Sequence, residues 1–339
     1  MRTSDFDYEL PPGLIAQVAV EPRDSSRLMV VHRDTGRFEH RVYRDVVEYL
    51  HRGDLVVCND SRVIPARLKG HKVGGEAQIE LLLLRRIEPG VWEALARPGR
   101  RLRAGTVVAV GHDSAVEATV RARKDGGIFV VELSGEEVLR DVGEVPLPPY
   151  IHECVEDPER YQTVYSRVEG SVAAPTAGLH FTAGLIDSLR DKGVESGFLT
   201  LHLALDSFRP VTEDDPRDHD IHKEYGRLAP ELADKINLAK SEGRRVVCVG
   251  TSTVRLVEGA VRAGGGAVAP FEDWVDLFIL PGHDFKVVDA MITNFHLPRS
   301  TLLMLVSAFA GRDLILKAYR EAMDRGYRFY SFGDAMLVL

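Results

Sequence analysis

Residues 246–263, VVCVGTSTVRLVEGAVRA, decide the fold of the larger part of the chain. A short apolar run is followed by Gly250, then by three hydroxyl side chains, and then by a pattern with helical spacing. A buried strand that turns through a glycine into a helix is the unit from which α/β proteins are built. The stretch therefore predicts a strand and a helix whose junction lies at the carboxyl edge of a sheet.

Strands and helices continue to alternate along the chain from residue 160 onward. Patterns typical of helices occur in AGLIDSLRDKG, PELADKINLAKSEG, TLLMLVSAFAG and DLILKAYREAMDRG, and the first two end at glycines that favour a helix terminus. ESGFLTLHLAL and VDLFIL have the composition of strands, and YRFYSF closes the series. This order predicts an α/β domain with a largely parallel sheet.

A segment of different character interrupts this pattern between residues 66 and 146. Five short β-type runs are separated by turn residues such as GG, PG and DGG: AQIELLLLRR, VWEALARP, GTVVAVG, AVEATVRA and GIFVVEL. Such regular spacing predicts five or six strands in a small sandwich or closed barrel. We therefore expect a mixed α/β catalytic domain of residues 1–65 and 147–339, interrupted by an inserted all-β domain of residues 66–146.

Composition excludes several classes of protein. Of the 339 residues 45% are apolar, which is enough for sizeable cores, yet the longest apolar runs are far too short to span a bilayer. The first residues, MRTSDFDYEL, lack the apolar segment of a secretory signal. The widely spaced cysteines, Cys58, Cys154 and Cys248, fit reduced core thiols better than a disulfide or a metal site. These features lead us to expect a cytoplasmic protein.

The distribution of charge is uneven. The net charge of −8 argues against indiscriminate binding of nucleic acid, but between residues 66 and 146 the 13 Lys and Arg balance the 12 Asp and Glu. Two basic clusters lie in this segment, RPGRRLR at residues 97–103 and RARK at residues 121–124. Such clusters can contact phosphates, and solvated loops between strands are the alternative interpretation.

The turn GTST at residues 250–253 is the first candidate for a ligand site. A helix that starts at the edge of a sheet presents free N–H groups and a positive end, which favour an anion. Arg255 lies about one turn further on, within reach of a carboxylate or phosphate. The alternative is ordinary capping of the helix by Ser252 or Thr253. Dinucleotide-binding and P-loop motifs do not occur in the sequence.

Three other polar stretches interrupt apolar surroundings. TNFHLPRST holds Asn294, His296 and Arg299 on a turn before a strongly apolar helix, although a satisfied surface histidine would look the same. LHLALDSFRPV holds His202 and Asp206, and the downstream DPRDHDIHKEY gathers further histidines and carboxylates. Because the histidines of this second cluster lie in a segment without helical signs, we interpret it as a polar loop rather than as a metal site.

Two stretches at the expected domain junctions are also candidates. NDSRVIPARL, residues 59–68, contains Arg62 and lies just before the inserted segment, where ligand clefts are common. APTAGLHFT, residues 174–182, surrounds His180 with small residues, including Gly178, that let a substrate or a strand approach the backbone. A simple turn in the first stretch and a structural histidine in the second are the alternatives.

In this order, these stretches resemble one family, the S-adenosylmethionine:tRNA ribosyltransferase-isomerases of queuosine biosynthesis. The resemblance runs essentially from end to end and includes FDYELPPGLIA, EPRDSSRLMVV, NDSRVIPARL, ARPGRRLRAG, YQTVYSRVEGSVAAPTAGLHFT, VGTSTVR, LPGHDFKVVDAMITNFHLPRSTLLMLVSAFAG and YRFYSFGDAML. It implies a six-stranded barrel inserted into an α/β domain. One departure is visible, because Ala204 and Asp206 stand where the family commonly has glycines.

The resemblance also implies a reaction. The ribosyl group of S-adenosylmethionine would be transferred and isomerised onto 7-aminomethyl-7-deazaguanine at the wobble position of a tRNA with a GUN anticodon. The products would be epoxyqueuosine-tRNA, adenine and methionine. No metal or other cofactor is implied, since S-adenosylmethionine is a co-substrate.

Such a reaction needs a base, an acid, a clamp for a carboxylate and a pocket that excludes water. The candidates for proton transfer are His180, His202 and His296, with Asp206 as an alternative base. The candidates for substrate binding are Arg62, Thr176, Gly178, Thr251, Ser252, Thr253, Arg255, Asn294 and Arg299. The candidates for contacts with tRNA are Arg97, Arg100, Arg101 and Arg103. A non-catalytic tRNA-binding module and an α/β enzyme acting on a small nucleotide without RNA remain alternatives.

Overall fold

A computed structural model describes residues 1–111, 116–124, 127–153, 155, 157–203 and 210–339. The chain forms two compact units. The first consists of Met1–Ser61, Pro148–Val168 and Ala174–Leu339, and the second of Arg62–Leu147 and Glu169–Ala173. The divisions near residues 61 and 147 lie within a few residues of the expected ones, and a short return segment adds residues 169–173 to the second unit.

The first unit is built on a nine-stranded sheet. Its strands, in spatial order, are β16 (Phe271–Val275), β14 (Glu224–Leu228), β13 (Glu195–Leu201), β3 (Leu55–Asn59), β15 (Val246–Val249), β17 (Ala290–Asn294), β18 (Ala335–Val338), β1 (Arg27–Val31) and β2 (Phe38–Val42). Four of the eight pairings are parallel and four are antiparallel. The expectation of a largely parallel sheet is therefore wrong, because β14, β16, β18 and β2 each run against a neighbour.

Helices cover both faces of this sheet. Along β3, Leu55 and Val57 point into one hydrophobic core, whereas Val56 and Cys58 point into the other, as the alternation of side chains in a strand requires. The first core is closed by α4 (Pro230–Ser241), α5 (Thr251–Ala263), α6 (Thr301–Ala310) and α7 (Arg312–Asp324). The second core is closed by α1 (Val46–Tyr49) and α3 (Ala183–Asp191).

Two of the strands predicted for this unit do not form where the sequence pattern placed them. VDLFIL contributes only Val275 to β16, and its remaining residues leave the sheet, with Leu277 and Ile279 filling the core below α5. YRFYSF, residues 327–332, forms turns, and the strand that follows it is β18. Apolar side chains in both segments are buried without strand pairing, which periodicity alone does not distinguish from a strand.

The second unit is a closed antiparallel barrel of six strands. In spatial order they are β5 (Arg67–Lys72), β6 (Gln78–Glu88), β7 (Val91–Arg97), β10 (Phe129–Leu133), β9 (Val116–Arg123) and β8 (Val107–Val110). A pairing between β5 and β8 closes the ring, which confirms the barrel expected from the resemblance. Short elements accompany it: β4 (Ser61–Val63), α2 (Leu139–Val142), β11 (Gly143–Glu144) and β12 (Val168–Ser171).

Two further findings concern the described part of the chain. None of its helices is long and apolar enough to cross a membrane. Cys58 and Cys248 are buried free thiols, and burial raises the pKa of the Cys58 thiol to about 12. Cys154 lies outside the described residues.

Candidate functional site

A cavity of about 730 Å³, partly open to solvent, lies at the carboxyl ends of β15 and β17 in the first unit. Because these two strands are parallel neighbours, the polar segments that follow them meet at one edge of the sheet. Six of the residues singled out in the sequence line the cavity: Thr176, Thr251, Ser252, Arg255, Asn294 and His296.

The turn from β15 into α5 forms one wall. Gly250 has φ 91°, which a residue with a Cβ rarely adopts, so a glycine is needed to direct the chain into the helix. No side chain caps the start of α5, and the Thr253 hydroxyl instead donates to the carbonyl of Val249 at 2.7 Å. The first turn of α5 therefore offers its N–H groups and its positive end to the cavity, which suits an anionic group.

Asn294, the last residue of β17, is held in a defined orientation. The Thr176 hydroxyl donates to its Oδ1 at 3.0 Å. Its Nδ2 lies 3.4 Å from Nε2 of His180 and 3.5 Å from the carbonyl oxygen of Tyr330. The Asn294 amide thus links the cavity wall to His180 behind it.

His296 lies in the cavity wall on the segment after β17. Its Nε2 is hydrogen-bonded to the Thr293 hydroxyl at 2.7 Å. Its backbone N–H donates to the Tyr319 hydroxyl at 2.8 Å, and its carbonyl accepts from the Tyr8 hydroxyl. Burial lowers the pKa of His296 to about 3, so the imidazole is neutral at physiological pH. Its position is fixed by three separate partners.

His180 does not line the cavity. Its ring is 5% exposed and packs on Tyr43, with ring centroids 4.8 Å apart. Its Nδ1 is hydrogen-bonded to the Ser26 hydroxyl at 2.7 Å. Burial is the main cause that lowers the pKa of His180 to about 4. His180 therefore contacts the cavity only indirectly, through the cavity-lining side chain of Asn294.

His202 faces away from the cavity. Leu201 and Leu203 on either side of it pack into the core beneath α5, so strand alternation directs the intervening side chain to the opposite face. There its ring lies parallel to that of Tyr225, with centroids 6.3 Å apart. Burial lowers the pKa of His202. Asp206, the alternative base, and Ala204 lie outside the described residues.

Arg255 reaches the cavity with its charge already balanced. Its Nη1 forms a buried ion pair with Glu224, and the two side chains are 7% and 1% exposed. Its Nε donates to the carbonyl of Leu277 at 3.1 Å. These partners leave the guanidinium poorly placed for the expected clamp on a substrate carboxylate. Glu224 itself, assigned to a polar loop by the sequence reading, starts β14 and lines the cavity.

Several other candidates have structural partners and do not line the cavity. A Cβ on Gly178 would lie 2.1 Å from the Tyr165 hydroxyl, so this glycine is required by packing. Arg299 has φ 56° and pairs with Asp7 at the surface, and Thr253 is turned back onto β15. Arg62 lies in β4, at the start of the second unit.

The cavity also contains aromatic residues that the sequence reading did not select. Tyr150 and Tyr330 line it, with ring centroids 4.7 Å apart and ring planes inclined by 55°. The Tyr150 hydroxyl is hydrogen-bonded to the Ser331 hydroxyl at 2.7 Å. For Tyr330 the aromatic composition of YRFYSF was the available signal, although that segment also fits the regular series of strands and helices.

A groove in the second unit gathers three of the four arginines expected to contact tRNA. Arg100, Arg101 and Arg103 line it together with Lys72, and Arg97 is exposed at the end of β7. Among the described residues, none of these five basic side chains forms an ion pair with a carboxylate. Other basic residues of the same unit are paired with glutamates: Lys69, Arg85, Arg86, Arg121, Lys124 and Arg140.

The cluster from Asp218 to Glu224 gives no metal site in the described part of the chain, where no three His, Cys, Asp or Glu side chains are arranged to hold a metal ion. His219 is hydrogen-bonded to Glu213 at 2.9 Å, and Glu224 pairs with Arg255.

Comparisons with known proteins agree over the whole chain. A family model described as queuosine biosynthesis protein matches residues 3–338. Proteins named S-adenosylmethionine:tRNA ribosyltransferase-isomerase from Dehalococcoides mccartyi and Symbiobacterium thermophilum are each 54% identical to this chain, over all of both chains. A crystal structure of S-adenosylmethionine tRNA ribosyltransferase from Thermotoga maritima is 42% identical, with a TM-score of 0.58, and covers 99% of this chain and 100% of its own.

Proposed function

The chain belongs to the queuosine biosynthesis protein family, and from this premise we propose that it is an S-adenosylmethionine:tRNA ribosyltransferase-isomerase. The observation that carries the proposal is the 54% identity to a relative of that name over the full length of both chains. The acceptor would be 7-aminomethyl-7-deazaguanine at the wobble position of a tRNA with a GUN anticodon. The products would be epoxyqueuosine-tRNA, adenine and methionine.

The cavity at the ends of β15 and β17 suits S-adenosylmethionine. In this proposal the methionine carboxylate lies at the start of α5, where Thr251 and Ser252 line the wall and the first N–H groups of the helix are free of side-chain caps. This assignment replaces the clamp by Arg255, whose charge Glu224 already balances. Thr176 and Asn294, which also line the cavity and are hydrogen-bonded to each other, then orient the rest of the molecule.

The proton chemistry is assigned to His296 in this proposal. The sulfonium acidifies the protons on the adjacent ribose carbon, and a base removes one of them before adenine leaves. His296 is neutral, lines the cavity, and is oriented by Thr293. His180 acts as a positioning residue behind Asn294. Asp206 remains the alternative base.

Later steps also need groups in the cavity. The aminomethyl nitrogen of the acceptor attacks a carbon of the ribosyl group as a neutral amine, and the proton that it loses passes to a base. Methionine departs as a neutral thioether, which takes the electron pair of the broken C–S bond, as the epoxide closes. The apolar part of the cavity wall favours these steps because it limits the access of competing water. S-adenosylmethionine is the only small molecule required, and we propose that the enzyme works in the cytoplasm without another cofactor.

The basic groove of the second unit is proposed as a contact for tRNA phosphates. Arg100, Arg101 and Arg103 present guanidinium groups without carboxylate partners among the described residues, whereas Arg121 and Lys124 of the RARK cluster are neutralised by glutamates. An unpaired cation is free to displace counterions from a phosphate backbone. The groove is therefore a better candidate than the RARK cluster.

Release of adenine tests the proposal against its two rivals. The protein is incubated with S-adenosylmethionine and tRNA that carries the aminomethyl precursor, and free adenine is measured. The control is the same tRNA with guanine at the wobble position, which lacks the nucleophilic amine. We expect adenine with the precursor tRNA. Adenine release without any tRNA would favour a small-nucleotide enzyme, and tRNA binding without adenine release would favour a binding module.

A further inference from the structure

Two tyrosine rings form an inclined corner in the wall of the cavity. Tyr150 and Tyr330 have ring centroids 4.7 Å apart and planes inclined by 55°. Both residues line the cavity beside His296 and Asn294. Inclined rings do not form a parallel-sided slot around a flat base, but they do form a corner that fits a compact, rounded group.

The backbone of Tyr330 is strained in order to hold this geometry. Its φ is 71°, a left-handed conformation that is unusual for a bulky aromatic residue. Three hydrogen bonds hold it in place: its N–H donates to the Phe295 carbonyl at 3.1 Å, and its carbonyl accepts from Gly333 N–H at 3.0 Å and from Asn294 Nδ2 at 3.5 Å. Strain that is held so firmly tends to mark residues with a role in function.

The hydroxyl groups of both tyrosines are engaged by the protein. The Tyr150 hydroxyl is hydrogen-bonded to Ser331 at 2.7 Å, and the Tyr330 hydroxyl interacts with that of Tyr8. Burial raises the pKa of both phenols, so they remain neutral. The hydroxyl groups are thus occupied, and the aromatic rings remain as the parts of these residues that can contact a ligand.

In the described part of the cavity wall, the charged side chains supply no net negative charge for a positively charged ligand. Glu224 and Arg255 cancel each other, and His296 is neutral. A sulfonium carries a fixed positive charge and has no N–H or O–H group, so hydrogen bonds cannot replace its hydration. Aromatic faces attract such cations through the ring quadrupole.

We propose that Tyr150 and Tyr330 bind the sulfonium centre of S-adenosylmethionine and thereby distinguish the charged donor from its neutral thioether. This inference rests on the proposed function, since it assumes that S-adenosylmethionine occupies the cavity. It adds two binding residues to the site, and their role is to recognise the positive charge of the ligand. The adenine ring then lies elsewhere in the cavity.

The test compares S-adenosylmethionine with S-adenosylhomocysteine, which lacks the charge but keeps the adenine and amino-acid groups. The affinity of each is measured by calorimetry with the full chain, alone and with guanine-bearing tRNA, and the KM and competitive Ki are measured in turnover. Tyr330→Leu should weaken S-adenosylmethionine by roughly ten- to thirtyfold relative to S-adenosylhomocysteine. Leucine is chosen because it is apolar and not β-branched. Tyr330→Phe keeps the ring and should keep the preference.

The binding and turnover results separate failure of this inference from failure of the proposed function. Equal losses for both ligands in Tyr330→Leu would overturn the proposal, because they would show that the ring stacks on adenine. Tyr150→Leu with Tyr150→Phe provides an independent pair if Tyr330→Leu does not fold. Turnover and binding that are unchanged in both leucine variants would also overturn it. A wild-type protein that binds neither ligand would instead refute the proposed function on which the inference depends.

Discussion

Arg255 and Glu224 form an ion pair in the wall of the cavity, with both side chains almost completely buried. The guanidinium projects from α5 and the carboxylate from β14, so the pair joins a helix to the strand beneath it. Isolated charges in such a place would be very unfavourable, and each group makes the burial of the other tolerable.

Loss of one partner should destabilise the protein more than loss of both. We expect Glu224→Gln or Arg255→Met alone to lower the free energy of unfolding by about 3–5 kcal/mol, because each leaves a buried charge unpaired. The double variant Glu224→Gln with Arg255→Met should lose less stability than either single variant, because no buried charge remains. Denaturant unfolding of the four proteins measures this, and strictly additive losses would contradict it.

The hydrogen bond from Thr293 should be important for turnover rather than for binding. Thr293→Val removes the hydroxyl that holds Nε2 of His296 at 2.7 Å and keeps the shape of the side chain. We expect kcat to fall by roughly tenfold, the value of about one hydrogen bond, with little change in the KM for S-adenosylmethionine. Thr3→Val is the matched control, because its buried hydroxyl donates to the Glu213 carbonyl and the residue does not line the cavity. A KM effect without a kcat effect would remove this role.

Stability should decline as the solution becomes mildly acidic. The folded chain keeps His180 and His296 unprotonated down to pKa values of about 4 and 3, whereas the unfolded chain binds protons near pH 6.5. Between about pH 6.5 and pH 4 the unfolded state therefore binds more protons, so the free energy of unfolding falls as pH falls. The Tm measured across this range should drop steeply.

Variants identify the groups responsible for that pH dependence. His180→Gln should reduce the slope of Tm against pH, because the residue that resists protonation is gone. His51→Gln is the control, since His51 is exposed. A slope that is the same in the wild type and in His180→Gln would show that another group titrates.

Gly178→Ala should destabilise the fold by steric overlap. The added methyl would lie 2.1 Å from the Tyr165 hydroxyl and 2.9 Å from Cγ2 of Thr163. We expect a loss of about 1–3 kcal/mol, typical of an overpacked core. Adding Tyr165→Phe removes the nearest atom and should restore part of that stability. A Gly178→Ala protein with normal Tm but weak substrate binding would support the original expectation of a substrate contact.

Removal of two arginines from the groove should weaken tRNA binding. Arg100→Gln with Arg101→Gln should make the slope of log affinity against log salt shallower by roughly 1.5–2, because about two phosphate contacts are lost. S-adenosylmethionine binding should not change. The matched control, Arg86→Gln with Arg121→Gln, removes the same charge from arginines already paired with glutamates. Equal effects from both double variants would argue that only net charge matters.

Much of the fold follows from local pattern. The strand, glycine and helix of residues 246–263 occur as expected, because periodicity, Gly250 and the apolar run all agree. The barrel was also expected, although β5 was not, since RLKGHK is polar and only Leu68 is fully buried in it. Strand direction was not predictable from alternation, because it depends on which neighbours each strand finds.

The sequence predicted those site residues that lie near the ends of neighbouring strands, where polar side chains come together. Thr251, Ser252, Asn294 and His296 follow two parallel neighbours, so adjacency follows from topology. Glu224 and Tyr330 were missed because their roles depend on a distant arginine and on a left-handed backbone, neither of which has a local signal. His202 was selected for its residue type, which suggested catalysis. Because side chains alternate along a strand, however, its side chain points away from the cavity.

The place of β18 in the sheet has a consequence for biosynthesis. Ala335 pairs with Leu28 of β1 on one side and with Asn294 of β17 on the other, so β18 is an interior strand. While a ribosome is still producing the middle of the chain, β1 lacks this partner and presents an open apolar edge. The strands of the barrel, by contrast, are contiguous in the chain and can pair early. We expect the nascent first unit to depend on chaperones until β18 has been synthesised.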